Sequence, residues 1–169
     1  MEHQFTDVEG LRIAVEMEKR GEAFYRRAAK ISRSGPVVRL LTALADEELQ
    51  HGQEFQALLD RACIQRPCGC DDLYDPETSA YLSAVAADII FPGGLMAFRQ
   101  TGFEDRRAVF CAAIDSEKDS VLFYTELARC ARDPGTRSVF SDIAAQERRH
   151  MARLQRGLEA LQDGADGGG

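Results

Sequence analysis

Residues 43–51 read ALADEELQH and residues 142–150 read DIAAQERRH. Each stretch ends in Glu-x-x-His: Glu48 with His51, and Glu147 with His150. Residues three apart on a helix share a face, so each pair presents a carboxylate and an imidazole to one point. The chain has only 3 histidines, and two of them sit in these pairs.

A shift of 99 residues lays one half of the chain on the other without a gap. Ala14 meets Ala113, Glu18-Lys19 meets Glu117-Lys118, and Phe24-Tyr25 meets Phe123-Tyr124. Further on, Ala45 meets Ala144, Leu44 meets Ile143 and Leu40-Leu41 meets Val139-Phe140. The Gly35-Pro36 break meets Pro134-Gly135. Each half is therefore one helical hairpin, and a repeat on this scale is the leading clue to architecture. The predicted fold is all-α: a ferritin-like four-helix bundle of two repeated hairpins, joined by a long crossover that contains a short helix.

Local punctuation sets the expected boundaries. Thr6 followed by Glu9 reads as a capping box, Pro36 suits a first helical turn, and Asp133 and Asp75 precede prolines as N-caps. Pro92-Gly93-Gly94 breaks the chain. Long helices are predicted over 7–33, 36–64, 105–132 and 134–162, with the short crossover helix over 76–90. Leu11, Ala14, Val15, Glu18, Phe24 and Tyr25 fall on or near one stripe of the first helix. One domain is expected over 1–163, with a disordered Gly-rich tail over 164–169.

Glutamates on a stripe of core residues need cations. The candidate metal ligands are Glu18, Glu48, His51, Glu117, Glu147 and His150. One Glu from each of two helices and Glu-x-x-His from each of the other two is the di-iron or di-manganese carboxylate pattern. Four carboxylates cancel two divalent ions, so that no uncompensated charge is buried. Bridging carboxylates would hold the ions about 3.5–4 Å apart. Mixed imidazole and carboxylate donors suit iron, with manganese or a mixed pair as alternatives; structural zinc more often takes cysteine.

Tyr25 and Tyr124 follow Glu18 and Glu117 by seven residues and share their faces. They are the candidate catalytic residues, expected to hydrogen-bond a ligating glutamate or to carry a radical, with packing around a buried hydroxyl partner as the alternative. Glu16, Asp115, Lys19 and Lys118 should face water, and Asp46 and Glu47 should lie off the site. His3 reads as a terminal residue without a role. Cys63, Cys68 and Cys70 read as a solvated loop at the end of the second helix, with a redox or metal cluster as the alternative, and Cys111 and Cys130 as small core residues. The odd number of cysteines disfavours a disulfide scaffold, and no CxxC pair offers a zinc ribbon or rubredoxin-type site.

The stretches GLRIAVEMEKRGEAFYRRAA (10–29) and AVFCAAIDSEKDSVLFYTELA (108–128), with the two ExxH helices and the crossover AYLSAVAADIIFPGG (80–94), resemble the rubrerythrin branch of the ferritin-like superfamily. That resemblance implies a di-iron centre on the six residues named above and reduction of hydrogen peroxide. Two departures stand out. No rubredoxin segment follows the bundle, so an external electron donor such as a rubredoxin-like protein is implied. The extra glutamate that such proteins carry three residues after the third-helix ligand is replaced by Ser120, with Gly21 as its counterpart in the first helix.

The charge of −7 disfavours nucleic acid and anionic membranes as partners. The N-terminus has no apolar signal segment and no apolar run approaches the ~20 residues of a membrane span, so a cytoplasmic location is expected. The expected activity is di-iron reduction of hydrogen peroxide or dioxygen. The alternative is non-catalytic iron binding, storage or delivery; a substrate hydroxylase on the same bundle ranks third. The apolar crossover residues Tyr81, Leu82, Val85, Ile89, Ile90 and Phe91 suggest a homodimer, with hairpin exchange as one form.

Overall fold

The computed structural model describes residues 6–65, 74, 76–90 and 105–166. Among the described residues, five α-helices run in the order α1 (Asp7–Ile31), α2 (Gly35–Gln65), α3 (Pro76–Ile90), α4 (Arg106–Cys130) and α5 (Pro134–Asp166). Among the described residues there is no strand, and no helix is long and apolar enough to cross a membrane.

The caps explain the boundaries. Thr6 accepts from the Glu9 backbone N–H through its hydroxyl at 3.1 Å, opening α1. Ser32, in extended backbone, closes it two residues before the predicted end. The carboxylate of Asp133 takes both the backbone N–H and the hydroxyl of Thr136, at 2.7 and 2.9 Å, and opens α5. Helix α5 runs to Asp166, four residues past its predicted end and into the stretch read as tail.

Helices α1 and α2 form one hairpin, and α4 and α5 the other. The hairpins meet where α1 faces α4 and α2 faces α5, while α3 lies against α4 and buries Leu82. Asp7 ties the ends together. It is buried, and its carboxylate accepts from Tyr74 Oη and from the backbone N–H groups of Arg132 and Asp133.

The core is in two parts. One holds Leu11, Val15, Phe55, Phe123, Tyr124, Phe140 and Ile143; the other holds Phe24, Tyr25, Leu41, Leu44, Val109, Phe110 and Leu154. Along every long helix of the bundle the chain passes from one cluster to the other. Glu18, Glu48 with His51, Glu117, and Glu147 with His150 sit at the crossing points. The apolar layers thus enclose a polar one.

Several predicted features fall outside the described residues: His3, Cys68, Cys70, Asp75, Phe91, the break at 92–94, and the side chains of Val85, Ile89 and Ile90. Cys130 is half-buried, but Cys111 is exposed rather than in the core. Its position, six residues before Glu117, sets it about 120° round α4 from the buried face.

Candidate metal centre

All six predicted ligand side chains meet in the middle layer. Glu18, Glu48, His51, Glu117, Glu147 and His150 are each 5% exposed or less. Burial this complete of four carboxylates requires compensation. The two hairpins deliver them from opposite sides, and the imidazoles of His51 and His150 stack with ring centroids 5.5 Å apart.

The donor atoms form two overlapping groups. Glu18, Glu48, His51 and Glu147 each offer one atom to the first, and Glu48, Glu117, Glu147 and His150 to the second; within a group all atoms lie within 4.8 Å of one another. Glu48 and Glu147 belong to both. The ExxH glutamates are therefore shared, while Glu18 with His51 and Glu117 with His150 are each particular to one group. His51 lies nearer the ExxH glutamate of the other hairpin than its own, and His150 lies almost as near the other hairpin's as its own. His51 Nδ1 is 2.8 Å from Glu147 and 3.8 Å from Glu48; His150 Nδ1 is 2.9 Å from Glu147 and 3.1 Å from Glu48.

These approaches lack hydrogen-bond geometry. Both Nδ1 atoms, Glu18 Oε2, Glu48 Oε1 and both Glu147 oxygens are buried without a hydrogen-bond partner. Buried polar atoms are almost always paired. Six that converge without pairing fit cations as the shared partner, and oxygen with imidazole nitrogen is a donor set for iron or manganese.

With protons alone, the charges sort themselves. Burial, then Glu48, raises the carboxyls of Glu18 and Glu117 well above the ordinary value. Burial opposes charge on His51, yet Glu147, Glu18 and Glu48 push its pKa up to about 12. His150 is raised in the same way by Glu117, Glu147 and Glu48 against burial. Glu147 resists its burial and falls below the ordinary value because His150 and His51 face it. Glu48 falls as well, against burial and the Glu147 charge.

The tyrosines bond across the hairpins. Tyr25 Oη donates to Glu117 Oε1, and Tyr124 Oη donates to Glu18 Oε1. Burial and the facing glutamates raise both phenols, so they remain donors. Glu16 and Asp115 face water as expected, paired with Arg20 and Lys118. Asp46 is exposed and pairs with Arg26 at 2.8 Å.

Glu47 is not off the site. Its Oε2 lies 2.8 Å from His150 Nε2, and its Oε1 takes Arg153 Nη1 at 2.5 Å. The repeat partner of Glu47 does the same on the other side: Gln146 Oε1 lies 3.2 Å from His51 Nε2. A residue one step before a ligand points about 100° away on its own helix. Here that direction faces the neighbouring helix across the α2–α5 contact, where it reaches the outer edge of that helix's histidine. The repeat alignment could have flagged positions 47 and 146 as a polar pair; only the packing of α2 on α5 gives them their targets.

A narrow cleft between α1 and α4 leads to the glutamates. It is lined by Met17, Gly21, Phe24, Ser116 and Ser120 above Glu18, Glu48 and Glu117, and it has room for a molecule of about water's size. A Cβ at Gly21 would stand 3.4 Å from Glu48 Cγ and begin to fill it.

Two repeated hairpins around a buried glutamate–histidine layer define a ferritin-like helical bundle with a candidate metal centre at its middle. A family profile described as Rubrerythrin matches residues 109–167, the second hairpin. One solved structure, from Thermotoga maritima and provisionally described as a ferritin-like diiron-carboxylate protein, has a TM-score of 0.70 and 22% identity, covering 94% of this chain and 98% of that one. No curated protein matches the sequence. The second hairpin is thus similar to the Rubrerythrin family, and the whole chain shares the fold of the Thermotoga protein.

Proposed function

We propose that Glu18, Glu48, His51, Glu117, Glu147 and His150 hold two iron ions, and that the protein reduces hydrogen peroxide or dioxygen with electrons from an external donor. The convergence of six buried side chains in two overlapping donor groups, five of them with atoms that no hydrogen bond satisfies, carries this reading. A ferrous pair, when bound, supplies two electrons for O–O cleavage; with two protons, one peroxide becomes two waters. A single-electron carrier of the rubredoxin type would return those electrons.

The chain's own residues have separate tasks. Glu48 and Glu147, common to both groups, would serve both ions. Glu18 and Glu117 would each serve one, and their carboxylates are held by Tyr124 and Tyr25. The two phenols keep those carboxylates aimed inward as their charge environment changes. The cleft beside Gly21 and Ser120 is of about a water molecule's size, which suits a small substrate such as peroxide or dioxygen. The apolar layers on both sides keep bulk water from the centre.

The test is anaerobic loading with Fe²⁺ followed by hydrogen peroxide. Stoichiometric oxidation with an optical change is expected, and catalytic turnover once a reduced rubredoxin is added. Absence of oxidation in a protein carrying two iron ions overturns the reading. Oxidation without turnover transfers the protein to the alternative class, iron binding or delivery.

A further inference from the structure

The two halves of the centre differ where the repeat would make them alike. His150 Nε2 meets the carboxylate of Glu47, which is itself held by Arg153. At the equivalent place His51 Nε2 meets the neutral amide of Gln146, and position 54, which matches Arg153, is Glu54. Both histidines turn Nδ1 toward the glutamate cluster, so Nε2 is in each case the outer nitrogen.

A ligating imidazole that donates its outer N–H to a carboxylate is a stronger base toward its metal than one that donates to an amide. The carboxylate stabilises positive charge on the ring, and it fixes both tautomer and orientation. An amide oxygen accepts the same hydrogen bond with less charge behind it. Arg153 pins Glu47 from the other side: Glu47 and Arg153 are half-buried, so the pair is partly sheltered from water. No such cation stands at the matching position of the other half.

We propose that Glu47 is a positioning residue that makes the two metal positions unequal, the one at His150 and Glu117 binding its ion more tightly and filling before the one at His51 and Glu18. This rests on the metal reading of the cluster. The asymmetry gives the pair a fixed order of assembly: one ion is retained while its neighbour exchanges.

The test is calorimetric titration of the metal-free, full-length protein with Co²⁺ in one buffer, at one pH. The wild type should take up two ions in two steps. Glu47→Gln, which keeps shape and removes charge, should weaken the tighter step by about 10-fold or more and leave the other nearly unchanged. Gln146→Glu should strengthen the weaker step. The double exchange Glu47→Gln with Gln146→Glu should restore two separated steps, which no general loss of folding would do. A wild type that takes up no Co²⁺ would overturn the metal reading itself. Two ions bound with the same step affinities in wild type and Glu47→Gln would overturn only this inference. So would an equal weakening of both steps accompanied by a lowered melting temperature, since Glu47 would then be structural.

Discussion

Tyr25 of the first hairpin donates its phenol to Glu117 of the second, and Tyr124 of the second returns the same bond to Glu18 of the first. The exchange ties the two halves at the level of the carboxylates. Each phenol serves the metal group to which its own hairpin does not supply the end ligand.

Replacing either tyrosine with phenylalanine leaves a buried carboxylate short of a donor while preserving the ring packing. The cost of stranding such a group is about 1–3 kcal/mol, which in a chain of this size lowers the melting temperature by about 2–4 °C for each kcal/mol. Thermal melts of the metal-free Tyr25→Phe and Tyr124→Phe proteins should show a loss of this order in each. Melting temperatures equal to wild type would mean that the carboxylates find other partners.

The overlap of the two donor groups sorts the glutamates by consequence. Glu18 and Glu117 each belong to one group, Glu48 and Glu147 to both. Glu18→Ala and Glu117→Ala should therefore retain one iron per chain, whereas Glu48→Ala and Glu147→Ala should retain none or lose both in desalting. Metal analysis after anaerobic loading reads this directly, with circular dichroism confirming the helical fold. Equal stoichiometry in all four would remove the distinction between end and bridging roles.

The repeat made most of the fold legible. A gapless shift of 99 residues cannot align apolar with apolar and glutamate with glutamate unless the halves share a hairpin. Glu18 was readable as buried because Leu11, Val15 and Tyr25 share its stripe. Glu47 was not, because its value lies in what α5 brings to it. Burial of Asp7 was equally hidden: its three donors come from Tyr74, Arg132 and Asp133, far away in sequence. Periodicity reports which way a side chain points on its own helix. It does not report which neighbour stands there.

Gly157 shows the same dependence on a neighbour. It lies within α5, where alanine would ordinarily be favoured by about 1 kcal/mol. A Cβ at this position would stand 2.4 Å from Phe110 Cε1 and 3.2 Å from Leu40 Cδ2. Phe110 is fully buried and cannot swing into solvent. Overpacking of this kind costs about 1–3 kcal/mol, so Gly157→Ala should be net destabilising, and Gly157→Ala with Phe110→Leu should recover part of the loss. Urea unfolding of the two variants checks both signs; a stabilised Gly157→Ala would mean that α4 and α5 separate without cost.

The charge sorting at the centre fixes how stability depends on pH. Glu18 and Glu117 hold protons in the folded, metal-free protein above the ordinary carboxyl value of 4.5, and His51 holds its proton up to about 12 against an ordinary 6.5. In these ranges the folded state binds more protons than the unfolded, so stability falls as pH rises. Glu147 and Glu48 act oppositely: their depressed values contribute stability above 4.5 that is lost as pH falls below it. The metal-free protein should therefore melt progressively lower from pH 6.5 to pH 9. Metal ligands must shed their protons, so loading should release those that the raised groups Glu18, Glu117, His51 and His150 hold in the metal-free protein. Loading with Fe²⁺ or Mn²⁺ should flatten the decline. Calorimetric titration in buffers of different ionisation enthalpy counts the protons released. Release near zero, with two ions bound, would mean that the metal-free cluster holds its four carboxylates charged and both histidines neutral, and that the proton balance assigned to it is mistaken.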